Sequence, residues 1–347
     1  MFKLGLVVMS NNSGIGNQTR RLCQMLKPFR ILAVDSSGFS RNSAQHWEWY
    51  DGFHGYMVHG FPTNNDVKTF LNGLTHVLCV ENPFNFALIS EARRRGIKSY
   101  VQSNYEFCDN LIGPEYPIPD MFLMPSWWKY EEMVKRFGAE RVEYLPPPLD
   151  PNELKQARDI NYVTSAMGKK QLLHIVGTLA THDRNGTLDL LKALKHTKKD
   201  FKLVIRSQHE LPTEYITYDR RVTYEIADLP DQTLMYSGFD AMILPRRYGG
   251  LSLTMNEALM SGLPVIMPDI DPNNKLLPSE WLVPAKKIDE FQARVMIDVY
   301  GTDVKKLAKK IDWVLDQNCE KIKVDAFEIA YNTFSPSVLM PRYESIW

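Results

Sequence analysis

The residues best suited to chemistry lie in one segment, RRYGGLSLTMNEALMSGLPVI at 246–266. Gly249 and Gly250 make a turn there, and because glycine has no Cβ, its backbone N–H groups can approach a ligand closely. Glu257 follows within the first turns of a predicted helix, where a carboxylate can accept hydrogen bonds from two hydroxyls. The turn N–H groups and the positive end of the helix attract phosphate. The spacing therefore indicates a site for a nucleoside diphosphate and its ribose, and a solvated Glu beside an ordinary glycine-rich loop is the alternative.

Two arginines are candidates for binding the diphosphate. Arg184 stands seven residues after Gly177, just before a helix predicted over 187–196, and Arg206 ends the apolar strand LVIRS. A planar guanidinium group donates to two phosphate oxygens at once. We therefore expect Arg184 to bind the diphosphate and to act in catalysis, with Arg206 as a second donor-binding residue. An ordinary surface arginine at a helix start is the alternative for Arg184.

The first half of the chain carries a glycine turn and a polar strand end. Gly14 and Gly16 lie between the first predicted strand and a helix, where they form a short turn that tolerates an anion. They match a dinucleotide-binding fingerprint only loosely, because the third glycine is missing. Asn104 and Glu106 follow the predicted strand SYVQS. Glu106 is a candidate base or a ligand for acceptor hydroxyls, with a merely solvated loop carboxylate as the alternative.

The sequence favours a cytoplasmic protein without a metal. Asp269 and Asp271 have the spacing of a DxD metal motif, but they lie in the proline-bounded loop MPDIDPNN, where aspartates need no metal. The four cysteines show neither pairing nor metal-ligand spacing and are expected to be reduced: Cys23, Cys79, Cys108 and Cys319. No segment approaches the roughly 18 consecutive apolar residues of a membrane span, and the N-terminus is expected to be a strand rather than a signal peptide.

Short apolar runs alternate with amphipathic helical stretches along the chain. This rhythm is typical of parallel sheets that carry helices on both faces. Three consecutive prolines at 146–148 interrupt it, because proline disfavours both a helix and a central strand. We therefore expect an α/β protein with two doubly wound domains, at 1–148 and 149–325, whose sheets face a central cleft with their carboxyl ends. Residues 326–347 are expected to cross back to the first domain.

Together these motifs resemble the GT-B glycosyltransferases of the large retaining group 1, of the family 4-like type, over nearly the whole chain. The resemblance rests on GGLSLTMNEALMSGLPVI, on the loop from Gly14 to Gly16, on Arg184 and on the LPPPLD linker. It implies two Rossmann-like domains, with Glu257 bound to the nucleotide ribose. The backbone N–H groups that it places on the diphosphate and the sugar are those of Gly250, Leu251 and Ser252.

Two positions depart from the family pattern. The family has a first glutamate eight residues before Glu257, at the donor sugar, and this chain has Gly249 there. Either Arg247 or the backbone takes its place, or the sugar is held differently. The family's His-Asp pair is replaced by an Asn-Tyr pair that begins at Asn104. Asn104 and Glu106 are therefore the catalytic candidates in the first domain.

The resemblance implies transfer of a sugar from a nucleoside diphosphate sugar, with UDP favoured, to a hydroxyl acceptor, with retention and without a metal or cofactor. Arg184 and the turn N–H groups would stabilise the departing diphosphate as its charge grows. The acceptor is either a soluble or cell-surface glycan or a hydroxymethylated pyrimidine in DNA, since compact relatives also occur in bacteriophages. Two rivals stay open, namely a nucleotide-sugar-binding protein without activity and a UDP-sugar epimerase of the same architecture.

Composition bears on the acceptor. The formal net charge is zero, which disfavours DNA, because DNA binding requires several Lys or Arg contacts to phosphate. Relatives with a lipid acceptor usually carry a basic amphipathic surface in the first domain. In this chain the three arginines at 93–95 are the only such cluster found, which disfavours a membrane acceptor. The segment at 46–61, HWEWYDGFHGYMVHGF, is a candidate acceptor surface, and an aromatic core beneath a loop is its alternative. The sequence indicates no oligomeric state.

Overall fold

The chain folds into two compact units. A computed structural model describes residues 1–38, 44–81, 83–107, 118–164, 170–177, 181–227, 229, 232–317 and 319–347. The first unit comprises Met1–Pro148, Ala293–Val295 and Pro336–Trp347, and the second comprises Leu149–Gln292 and Met296–Ser335. The step between Pro148 and Leu149 lies at the proline run, where the sequence predicts a boundary.

The first unit is built on a parallel sheet. Its strands are β1 (Leu4–Met9), β2 (Arg30–Asp35), β3 (Gly55–His59), β4 (His76–Val80), β5 (Lys98–Gln102), β6 (Met121–Met124) and β7 (Val142–Tyr144). Its helices up to the boundary are α1 (Gly14–Leu26), α2 (Asn64–Phe70), α3 (Ala87–Arg94) and α4 (Tyr130–Phe137). The order β3-β2-β1-β4-β5-β6-β7 reverses direction between β1 and β4. The loop after β1 therefore lies at a topological switch point, where doubly wound sheets bind ligands.

The apolar runs of the first unit form strands because both faces of its sheet are covered. All six residues of β1 are buried. Val7 and Leu32 belong to one hydrophobic cluster, and Leu6 and Leu78 belong to another, so the strands contribute to cores on both faces. A parallel sheet buried on both faces requires such continuous apolar strands.

The second unit repeats this architecture. Its sheet contains β8 (Gln171–Val176), β9 (Lys202–Ser207), β10 (Val222–Ile226), β11 (Ala241–Ile243), β12 (Val265–Pro268) and β13 (Leu282–Val283). Its helices are α5 (Lys155–Thr164), α6 (Thr187–Leu194), α7 (Gln232–Tyr236), α8 (Leu253–Met260), α9 (Val304–Asp316) and α10 (Cys319–Phe334). The order β10-β9-β8-β11-β12-β13 reverses between β8 and β11, and every pairing in it is parallel. The prediction of two doubly wound parallel sheets is confirmed.

Two elements differ from the sequence-based expectation. An antiparallel hairpin of β14 (Ala285–Gln292) and β15 (Met296–Thr302) was not predicted, because the side chains of β14 are mostly exposed and give no apolar alternation. The predicted start of the last segment at 326 falls inside α10, whose Ala330 and Phe334 lie in the core of the second unit. The return to the first unit therefore begins ten residues later, at Pro336, with helix α11 (Pro336–Ser345).

The aromatic segment at 46–61 forms part of the first unit's sheet and its edge. Residues Trp47–Tyr50 make a short 3-10 helix, and β3 is the edge strand beside β2. Tyr50 is buried and donates a 2.5 Å hydrogen bond to the carbonyl of Met9, so this ring is a core residue, as the alternative reading expects. Among the described residues, no helix combines the length and the apolar character needed to cross a membrane.

Candidate functional site

The loops that follow β8 and β11 meet at the switch point of the second sheet. The backbone N–H of Arg247 donates a 2.8 Å hydrogen bond to the carbonyl of Arg184, which joins the two loops. Gly186 permits this approach, because its φ is +70° and a Cβ there would stand 1.9 Å from the carbonyl oxygen of Pro245. A residue with a side chain at 186 would clash with Pro245 and push the two loops apart. The fold thus brings the predicted Arg184 beside the predicted glycine turn.

Two guanidinium groups converge on Gly249. Its φ is +113°, in the region that favours glycine, and the residue is buried. A Cβ at this position would stand 2.4 Å from Nη2 of Arg246 and 2.7 Å from Nη2 of Arg184. The absence of a side chain at 249 therefore makes room for both arginines. Arg184 also lies over the ring of Tyr248, with its Cζ 5.4 Å from the ring centre.

Arg246 shapes the glycine turn. Its side chain is buried, and it donates through Nε to the carbonyl of Tyr248 at 3.0 Å and through Nη1 to the carbonyl of Leu251 at 2.9 Å. These two bonds hold the ends of the turn around Gly249. Sequence reasoning missed this residue and named its neighbour Arg247 instead. The sequence did offer a signal for Arg246, because two adjacent arginines open the motif at 246–266.

Arg247 has a different role from the one expected for it at the donor sugar. Its Nη2 lies 2.7 Å from Oδ1 of Asp189 and 3.5 Å from Oδ2 of Asp183, and all three side chains are largely buried. Asp183 accepts hydrogen bonds from the N–H groups of Thr187 and Leu188, the first two residues of α6. Burial raises the pKa of Asp183, and the positive charge of Arg247 opposes this shift. Arg247 therefore neutralises buried carboxylates, and Arg246 is the residue beside Gly249.

Glu257 is buried and oriented. The hydroxyl of Ser252 accepts a 3.4 Å hydrogen bond from the N–H of Met255 and caps α8. One turn into this helix, Glu257 accepts a 2.5 Å hydrogen bond from the hydroxyl of Tyr236. Only 4% of Glu257 is exposed, so the alternative of a solvated carboxylate is wrong. The Oδ1 of the neighbouring Asn256, also missed, is buried and accepts no hydrogen bond from the described residues.

The unpredicted hairpin supports the loop with Arg184. The ring of Phe291 in β14 stacks on His182 at 4.7 Å and meets the edge of Tyr248 at 5.2 Å. The hydroxyl of Tyr248 donates a 2.8 Å hydrogen bond to the carbonyl of Thr181. These contacts join Thr181 and His182 to Tyr248 of the glycine turn.

Arg206 lies at the end of β9, as predicted, but its contacts are local. Its Nε donates a 2.6 Å hydrogen bond to Oε2 of Glu225, and its Nη1 donates to the carbonyls of Leu234 and Met235. Its guanidinium also lies over the ring of Phe239. The structure therefore joins Arg206 to β10 and α7, whereas it joins Arg184 to the glycine turn. A donor-binding role for Arg206 stays a prediction.

The predicted residues of the first unit lie at the carboxyl edge of its own sheet. Gly14 and Gly16 begin α1 directly after β1, and a Cβ on Gly16 would stand 1.8 Å from the carbonyl oxygen of Asn11. Asn104 is buried, and its carbonyl accepts a 3.0 Å hydrogen bond from Phe107 in the turn that contains Glu106. This turn directly follows β5, so the sequence places these residues correctly on the sheet, and their roles stay predictions.

The structure also locates the acidic and cysteine motifs. Asp269 accepts a 3.2 Å hydrogen bond from the side-chain amide of Asn274. Within the described ranges, no three His, Cys, Asp or Glu side chains are grouped to hold a metal ion. Burial raises the pKa of Cys23 to about 12, and Cys79 is also buried. Cys108 lies outside the described residues.

Comparison with known proteins addresses the second unit most directly. Residues 170–298 match the family model of the glycosyl transferases group 1. This segment contains Arg184, the glycine turn and Glu257. By sequence, the chain matches none of the curated proteins compared with it.

Solved structures similar to this chain show the fold. A glycosyltransferase from Rickettsia africae is 12% identical with a TM-score of 0.71, and the similarity covers 99% of this chain and 97% of that one. A sucrose-phosphate synthase from Thermosynechococcus elongatus is 13% identical with a TM-score of 0.68 over 100% and 98% of the chains. The pneumococcal O-GlcNAc transferase GtfA, solved with UDP and GlcNAc, is 17% identical with a TM-score of 0.59 over 81% and 58%. The chain thus has two Rossmann-like parallel-sheet units, as in GT-B glycosyltransferases.

Proposed function

We propose that this protein transfers a sugar from a nucleoside diphosphate sugar to a hydroxyl acceptor. The observation that carries the proposal is the approach of Arg184 to the glycine turn at the switch point of the second sheet, with the buried Glu257 in the helix that follows this turn. This edge is where doubly wound sheets bind nucleotides. The match of residues 170–298 to the glycosyl transferases group 1 supports the reaction class.

The donor is bound by three kinds of group. The backbone N–H groups of Gly250, Leu251 and Ser252, together with the start of α8, face phosphate and sugar oxygens. Arg184 donates to the diphosphate, and Glu257 accepts hydrogen bonds from the ribose hydroxyls. We favour UDP as the nucleotide, because a similar structure contains UDP. The protein needs no cofactor, since the donor itself supplies the activated sugar.

Catalysis is mainly electrostatic and proceeds with retention and without a metal. As the glycosidic bond breaks, negative charge grows on the departing diphosphate, and Arg184 and the turn N–H groups stabilise it. The backbone carbonyl of Arg184 accepts a hydrogen bond from Arg247, and its guanidinium lies over the ring of Tyr248, so the residue is placed beside the turn before the donor binds. In the first unit, Asn104 and Glu106 are the groups proposed to act on the acceptor, and Gly14 and Gly16 leave room for the donor.

The acceptor is proposed to be a soluble or cell-surface glycan. The zero net charge gives the chain no general attraction for a polyanion. A hydroxymethylated pyrimidine in DNA is the second acceptor class. A salt titration of binding to DNA that contains hydroxymethylcytosine separates them, because each phosphate contact contributes to a steep loss of affinity with salt. A flat response favours the glycan, and a steep one favours DNA.

A thermal-shift screen across nucleotide sugars tests the proposed function. A donor present at ~100 times its dissociation constant adds about 2.7 kcal/mol of stability, which raises the melting temperature measurably. The stabilising donor is then incubated with candidate acceptors, and release of the nucleoside diphosphate is measured. No shift with any nucleotide sugar would sink the proposal. Binding without turnover indicates a non-catalytic binding protein, and an isomerised nucleotide sugar indicates an epimerase.

A further inference from the structure

The loop after β8 has a strained backbone directly before Arg184. His182 has a φ of +59° and Asp183 has a φ of +49°, so two consecutive residues other than glycine adopt the left-handed conformation. In this conformation the Cβ of an L-residue comes close to a carbonyl oxygen, and such residues persist only where other contacts hold them. Because Arg184 follows at once, the conformation of these two residues determines where the chain carries its side chain.

His182 has contacts at its backbone and at its ring. Its carbonyl accepts a 3.2 Å hydrogen bond from Nη1 of Arg247. Its ring stacks on Phe291 of β14, with 4.7 Å between the ring centres and 13° between the planes, and its Nε2 lies 3.4 Å from Oδ2 of Asp289 in the same strand. The hairpin therefore contacts the strained residue through its ring, and the motif at 246–266 contacts it through its backbone.

The hairpin is also joined to the glycine turn. The N–H of Tyr300 in β15 donates a 3.0 Å hydrogen bond to the carbonyl of Arg247, and the ring of Phe291 packs against the ring of Tyr248 at 5.2 Å and 68°. Phe291 is half-buried, whereas Ile288 in the same strand is 49% exposed. Phe291 thus contacts the loop after β8 and the glycine turn at once, while β15 bonds the backbone of the turn.

We propose that Phe291 is a positioning residue, which holds His182 in its left-handed conformation and so directs Arg184 towards the diphosphate of the donor. This role rests on the proposed function, which supplies the diphosphate. Phe291 acts through the stack with His182, so an aromatic ring at 291 is sufficient. A group whose direction is set before the ligand binds stabilises charge without reorganising, and this advantage disappears when Arg184 is absent.

A double-mutant cycle tests this role. Phe291→Ala is made in the wild-type protein and in Arg184→Met, because a residue that acts only through Arg184 has little left to contribute once that side chain is gone. Phe291→Tyr keeps the ring, and Ile288→Ala is the matched control, since it removes an exposed apolar side chain from the same strand. His182→Ala removes the other ring of the stack and replaces Phe291→Ala in the cycle if that variant does not fold.

The dissociation constants of UDP, GDP and ADP are measured by calorimetry, after circular dichroism has shown that each variant is folded. We expect Phe291→Ala and His182→Ala to weaken nucleotide binding ~5-fold or more, but not beyond the loss in Arg184→Met. Phe291→Tyr, Ile288→Ala, and Phe291→Ala within Arg184→Met should each change it less than about 2-fold.

Two results would overturn the positioning role and leave the proposed function standing. One is an equal loss from Phe291→Ala in both backgrounds, which would mean that this ring acts on the fold alone. The other is a loss from Ile288→Ala as large as that from Phe291→Ala. If the wild-type protein binds none of the three nucleotides, the proposed function fails, and the role of Phe291 fails with it.

Discussion

The hydroxyl of Tyr236 donates a 2.5 Å hydrogen bond to Oε2 of Glu257, and both side chains are buried. Tyr236 ends α7 and Glu257 lies in α8, so this bond joins two helices beside the glycine turn. A hydrogen bond to an ionised carboxylate is among the stronger ones in proteins. It fixes the direction in which Glu257 presents its carboxylate, which is a requirement for binding a pair of ribose hydroxyls.

Replacing Glu257 with Ala should raise the dissociation constant of the donor by ~10-fold or more, because a charged hydrogen bond contributes about 1.5 to 3 kcal/mol. Calorimetry with the donor from the thermal-shift screen measures this change. Glu280→Ala removes an exposed glutamate of the same unit and should leave the dissociation constant unchanged. Unaltered donor binding in a folded Glu257→Ala protein would show that this carboxylate does not hold the ribose.

Replacing Arg247 should mainly lower the stability of the protein, whereas replacing Arg184 should mainly weaken donor binding. Arg247→Met leaves Asp183 and Asp189 buried without their cation, which should lower the free energy of unfolding by about 3 to 5 kcal/mol. Arg184→Met removes the contact with Tyr248, which contributes about 0.5 to 1 kcal/mol, and leaves no buried carboxylate pair without its cation, but it should weaken donor binding ~10-fold or more. Urea denaturation and calorimetry measure the two quantities. Equal destabilisation by the two variants would contradict the division of roles.

Gly186→Ala should destabilise the second unit by ~2 kcal/mol or more. Its Cβ would stand 1.9 Å from the carbonyl oxygen of Pro245, a backbone atom that cannot rotate away, so overpacking adds to the cost of a left-handed backbone. Gly96→Ala is the matched control, since Gly96 has the same φ of +70° with open space around it. It should cost only about 1 to 2 kcal/mol. Urea denaturation of both variants provides the comparison, and equal losses would mean that the close approach at Pro245 is unimportant.

His174 should make the stability of the protein depend on pH. It is fully buried between the carbonyl of Ile243 and the hydroxyl of Thr187, and burial lowers its pKa to about 4. The unfolded chain, with a pKa near 6.5, binds the proton more readily, so stability is lost as pH falls from about 6.5 towards 4. Between pH 7 and pH 5 this loss amounts to about 2 kcal/mol.

The measurement compares urea denaturation of the wild-type protein and of His174→Gln at both pH values. Carboxylates that titrate over this range are common to the two proteins, so the difference between them reports His174 alone. The variant should lose about 2 kcal/mol less than the wild-type protein on acidification. Parallel losses would show that the folded protein binds a proton at His174 as readily as the unfolded chain does.

Local patterns predicted the parts of the fold in which burial and periodicity agree. The apolar runs became parallel strands, and the predicted helix that contains Glu257 is α8. The hairpin of β14 and β15 was missed because its first strand is mostly exposed. The end of the second unit was placed too early, because nothing in a helical sequence shows which core its apolar face will enter.

The sequence by itself determined the residue types of the candidate site: two glycines in a turn, a glutamate in the helix after it, and arginines near both. It could not distinguish Arg246 from Arg247, which are neighbours of the same type. Only the tertiary structure decided between them, because Asp183 and Asp189, more than fifty residues away, attract Arg247 into a buried ion pair. Arg246 instead bonds the turn and lies with Arg184 at Gly249. Charge pairing over long sequence separation is a property of the folded chain, and local spacing does not encode it.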